Sequence, residues 1–140
     1  DEVDLAAEKF VTAALIAGAG GTRAAGADLG GALDAAEAAA GGRGPVRAVV
    51  VNAVDWPEIR RALASTFFEG PHPAVLVSAG QPAGTATYIG TGAVRFLASD
   101  YVRMEAERPN AFMKSAAVAR PFYLAIRSAA QIQTVTGIGA

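Results

Sequence analysis

The chain has 140 residues, no cysteine, one histidine and a formal net charge of −1. That is one domain's length, with disulfides, thiolate metal sites and multi-histidine sites excluded within one chain, so no metal and no cofactor is expected. The near-neutral balance gives no field to steer nucleic acid or an anionic membrane surface, and no apolar run approaches the ~18–20 residues of a membrane span, so neither partner is expected.

The opening DEVDLAAEK reads as a short helical turn or a frayed end. It lacks the basic start and apolar core of a signal peptide, so a cytoplasmic location is expected. A start at Asp1 rather than Met is what a processed or trimmed product would show. Phe10–Ala17 (FVTAALIA) is an apolar run that suits a buried strand or a continuing helix; the GAGG that stops it favours the strand. Ala27–Ala40 places Leu29, Leu33, Ala36 and Ala40 on one helical face, with Asp28 as N-cap. Gly30 and Gly31 cost that helix roughly 1 kcal/mol each relative to Ala, so it leans on tertiary packing.

Val46–Val54 is almost continuously apolar and β-branched, as a central strand with both faces covered would be. Asp55 then predicts an N-cap ahead of Trp56, Pro57 and Glu58. Ile59, Leu63 and Phe67 follow at helical spacing, with Arg60 and Arg61 on the other side. Ala74–Ala79 and Thr85–Phe96 read as strands around the turn GQPAG. Ala111–Ile132 predicts a helix kinked at Pro121, whose stripe of Val118, Phe122 and Ile126 packs on the sheet or reaches a neighbouring subunit.

The stretch VRAVVVNAVDWPEIRRALASTFFEGPHPA, with the turn Gln81-Pro82-Ala83-Gly84, resembles the RidA/YjgF family. The matching features are Val46 and Arg47, Asp55 and Trp56, Phe67 and Phe68, and the Pro71–Pro73 link. The resemblance implies a chorismate-mutase-like α+β fold: one mixed β-sheet with two helices packed on one face, three chains forming a homotrimer, and small-molecule clefts between subunits. Residues 1–97 would form the core domain and residues 98–140 a C-terminal helical arm. The apolar fraction of 52%, high for so short a chain, also points to an oligomer. Family members that hydrolyse imines carry an Arg and a Glu where this chain has Pro73 and Gly90. From Gly70 to Val94 there is no Arg, Lys, Asp or Glu at all, so imine deamination is not expected.

The residues left to carry chemistry are few. His72, the only imidazole, and Tyr88 are the candidate catalytic groups, each set against a plainer role as a loop histidine or a core tyrosine. Arg23, Asn52, Thr87 and Thr91 are candidate ligand contacts. GAGGTRAAG at 18–26 has glycines near a strand and a helix, but not at phosphate-loop spacing. Two classes of function follow. One is a RidA-like small-molecule-binding protein or divergent enzyme acting at an inter-subunit cleft. The other is a non-catalytic assembly subunit, either a partner in a trimer or a ring protein like those that complete phage tails.

Overall fold

The computed structural model describes residues 2–41, 46–63, 73–98, 102–107, 114–119 and 122–139. Its first element is a helix, α1 (Glu2–Ala17), in place of the strand expected over Phe10–Ala17. The physical reason is visible over the longer window: the segment holds no Gly or Pro and is rich in Ala, the best helix former. Strand β1 (Gly21–Ala24) follows, so the glycine-rich segment is a helix end running into a strand.

Helix α2 (Leu29–Gly41) forms as expected, and Asp28 caps it: the Gly31 N–H donates to Asp28 Oδ1 at 2.9 Å. Strand β2 (Val46–Val51) leads to α3 (Trp56–Ala62) and β3 (Ala74–Val77). The segment read as one strand over Thr85–Phe96 is two, β4 (Ala86–Gly90) and β5 (Val94–Ala98). Gly92 separates them with φ +82, a conformation that glycine adopts without strain.

The main sheet is five-stranded and mixed, in the order β1-β9-β4-β2-β3, where β9 is Ile132–Thr136. The outer pairs β1/β9 and β2/β3 are parallel, and the inner pairs β9/β4 and β4/β2 are antiparallel. Helices α2 and α3 pack on one face, as the α+β reading requires. Leu33, Ala36 and Ile59 meet Val49, Val51, Tyr88 and Val135 there. Alternation along the strands turns Ile89 and Ile132 to the opposite face, where Leu15 of α1 packs with Ile132 and Ala93.

The C-terminal extension differs from the helical arm expected over residues 98–140. It runs through β6 (Val102–Glu107), β7 (Lys114–Ala119), β8 (Phe122–Ile126) and a 3₁₀ turn (Ala129–Gln131) before β9. Strands β5 and β8 pair antiparallel from Val94↔Ile126 to Ala98↔Phe122, and β6 and β7 from Val102↔Ala119 to Glu107↔Lys114. Alanine suggested a helix, but cross-strand pairing overrides that weak propensity. The arm is no appendage to a complete core either, because β9 fills the place between β1 and β4.

Candidate functional site

The densest polar construction among the described residues is the turn from Ser78 to Thr85, which joins three parts of the molecule. Asn52 Nδ2 donates to Gln81 O at 2.8 Å, fixing the turn to the end of β2. Asp55, expected as an N-cap, makes no side-chain cap bond; its buried carboxylate accepts the Gly84 N–H at 2.6 Å. Gly84 has φ +81, and its carbonyl accepts the Ile138 N–H at 3.0 Å. On the α1 side, the Thr12 hydroxyl lies 2.8 Å from Gly80 O and 2.9 Å from Glu8 O. The Ser78 hydroxyl donates to Glu8 Oε2 at 3.0 Å. Gly80 allows this approach: a Cβ there would meet the Glu8 and Lys9 backbone at 2.7 Å.

Gln81 is 1% exposed and is the centre of the turn. Its Nε2 donates to Thr85 Oγ1 at 2.8 Å and to Thr87 Oγ1 at 3.1 Å. Its Oε1 and the Thr134 hydroxyl are buried without a partner among the described residues. Gln81, Asp55, Thr12 and Gln133 were not among the candidate catalytic or ligand-binding residues named from the sequence. A Gln between Gly and Pro in an uncharged stretch carries no signal of burial. Asp55 carried one, and it pointed to a cap.

The structure does not bring the expected site residues together. Tyr88 is buried under α2, and its hydroxyl has no partner among the described residues. Burial, reinforced by the nearby Glu37 and Asp34 carboxylates, pushes its phenol well above the ordinary tyrosine value. It therefore stays protonated near neutrality and is no base there. Thr87 is its neighbour in β4 but faces the other side of the sheet, receiving Gln81. Asn52 spends both ends of its amide on the chain, donating to Gln81 O and accepting the Val54 N–H at 3.0 Å. Arg23 lies in β1, separated from β4 by β9, and its Nη2 donates to Gln133 Oε1 at 3.2 Å. Thr91 sits exposed in the turn after β4. His72 lies outside the described residues. Among those residues no group of three or more His, Asp or Glu is placed to hold a metal ion.

The surface offers more than the interior. Phe10, Tyr123 and Ile126 are exposed and, with Ala14 and Leu124, line a shallow apolar cleft of about 460 Å³ between α1 and β8. Leu76 and Val77 are 51% and 53% exposed on β3, an outer strand of the sheet. Val54 is exposed in the loop after β2. No helix among the described residues is long and apolar enough to cross a membrane.

No family model matches the chain, and no curated protein matches it. Solved structures do. A chain from the crystal structure of a virus-like particle from Pyrococcus furiosus superposes with a TM-score of 0.69 at 14% identity, over 94% of this chain and 61% of that one. A chain of Mycobacterium phage Che8 gives 0.66 at 14% identity, over 97% and 60%. The likeness at this identity is one of fold, and this chain spans about three fifths of the length of each. It overturns the RidA/YjgF resemblance and the small-molecule function drawn from it. The local pattern that carried the resemblance, a β2-α3-β3 crossover followed by a hairpin-like return, occurs here in a different sheet, one completed by β9.

Proposed function

We propose that this chain is a non-catalytic structural subunit, or a part of one, that associates with further copies into a particle. The observation that carries the proposal is the match, over nearly its whole length, to the fold of a chain from a virus-like particle. Two features of the chain support it. Buried Thr12, Asp55, Gln81 and Thr87 hold the turn at 78–85 rather than converge on a cleft. Its exposed large apolar side chains suit contacts between subunits better than a ligand pocket. Self-association is retained from the sequence reading, without the number three, which rested on the RidA resemblance. Assembly in the cytoplasm is part of the same proposal.

Light scattering after size exclusion, with electron microscopy of the same fractions, tests it. The expected result is an assembly well above a trimer in mass, with a defined outline. A monomer at all concentrations, or a discrete trimer, overturns it.

A further inference from the structure

The sheet ends in two outer strands of different character. Strand β1 (GTRA) is polar and carries Arg23. Strand β3 (AVLV) is uncharged and apolar, and Ala74, Leu76 and Val77 are all exposed. Protein edges are usually protected by a Lys, a Pro, a bulge or an inward charge, because free N–H and C=O groups along an edge recruit another strand. Strand β3 has none of these within it, and among the described residues its protection is its shortness.

The phase of its ladder identifies the groups on offer. The Ser78 N–H donates to Val51 O at 2.9 Å. In the parallel register Ala48↔Ala74 to Val51↔Val77, Ala74, Leu76 and Ser78 therefore turn their backbone groups toward β2. Val75 and Val77 turn theirs away from the sheet. Neither has another hydrogen-bond partner among the described residues.

We propose that β3 pairs antiparallel with β3 of a second copy across a two-fold axis at Leu76. This rests on the self-association proposed above and names the surface and partner for one such contact. Several observations select a second copy. No Asp, Glu, Lys or Arg occurs from Gly70 to Val94, so the two-fold brings no like charges from this stretch opposite each other, the usual obstacle to self-pairing. An isologous contact needs a patch that complements itself, and an uncharged, β-branched edge does so. The register follows from the outward groups. With Leu76 on the axis, Val75 of each copy exchanges hydrogen bonds with Val77 of the partner subunit, and all outward groups of β3 are used. With Val75 on the axis, Val77 would oppose Pro73, which has no N–H to give. The two Leu76 side chains then form a non-hydrogen-bonded pair, the closer of the two antiparallel arrangements, with Cα atoms about 4.5 Å apart.

That spacing allows a disulfide, and a chain without cysteine gives a clean background. Leu76→Cys, mildly oxidised and run on a non-reducing gel, should convert most of the chain to a covalent dimer. Val54→Cys, at the more exposed position of 78%, should give only background. Equal yields from the two variants overturn the proposal. Adding Val77→Pro to Leu76→Cys removes an outward N–H and no bond to β2. It should leave the unfolding temperature nearly unchanged and abolish the cross-link; a persistent cross-link overturns the register. Large particles without a Leu76→Cys cross-link defeat this inference alone, whereas a chain that stays monomeric defeats the proposed function with it.

Discussion

On the face covered by α2 and α3, Leu33, Ile59, Val49 and Val51 pack with Tyr88 in one apolar cluster. Under α1 the interface is shared: Leu15 and Ile132 meet, but Thr12, Gln81, Thr87 and Thr134 are buried on the same side of the sheet. Apolar burial scales with area and has little directional preference, so the first face resists unfolding without fixing fine position. Hydrogen bonds fix position but contribute only about 0.5–1.5 kcal/mol net each. Helix α1 is thus located by a few directed contacts, and α2 by bulk packing.

The largest effect expected is on the apolar face. Leu33 is fully buried, and Leu33→Ala should cost about 2–5 kcal/mol in urea unfolding, from lost transfer energy and the cavity left behind. A loss below 1 kcal/mol would mean that this face is not the main support of the fold.

Gln81→Ala tests the other face. It should cost about 1–3 kcal/mol, because Thr85 and Thr87 lose their donor inside the protein. Hydrogen exchange should then quicken in α1 more than in α2, since the turn holding Thr12 loosens first. Equal quickening in both helices would erase the distinction between the faces.

The smallest effect is at Tyr88, the one hydroxyl buried on the apolar side among the described residues. Tyr88→Phe should change stability by less than about 0.5 kcal/mol near neutral pH, because the lost group has no hydrogen-bond partner among the described residues. Its phenol is raised by burial, then by Glu37 and Asp34. The folded state therefore holds its proton more tightly than the unfolded state, where the ordinary value is about 10. Stability from this group is intact below that pH and is lost as pH rises above it. Wild type should weaken at alkaline pH more steeply than Tyr88→Phe, as followed by denaturant titration. Parallel curves would place the phenol in contact with water.

What the sequence made legible was the part governed by local rules. Asp28 announced its cap, Leu33, Ala36 and Ala40 their helical face, and the run Val46–Val54 a strand in the sheet, which ends at Val51. Failures came where a local pattern was ambiguous or a distant strand decided the outcome. The run at Phe10–Ala17 suits either element in a short window, and only its continuity with Glu2–Lys9 makes it a helix. Lys114–Ala119 and Phe122–Ile126 carry helix-forming alanines, yet they pair with strands β6 and β5 that precede them. The site residues misled for a related reason. Asn52, Arg23 and Thr87 are polar residues in strands or at their ends, and such residues serve a ligand or the chain's own backbone and side chains. Here each has a partner within the chain.

The placing of β9 between β1 and β4 also sets a schedule. Arg23 and Gln133, bonded across β1 and β9, are 110 residues apart in sequence, and closing so long a loop makes folding slow relative to a helical domain of similar size. Until residues 132–136 arrive, β1 has no neighbour in the sheet and β4 has only β2. A chain growing from the ribosome would then present two open edges where the finished sheet has paired strands. Any association between copies that began during this interval would compete with β9 for those edges, so the proposed self-association would favour copies that have already completed the sheet.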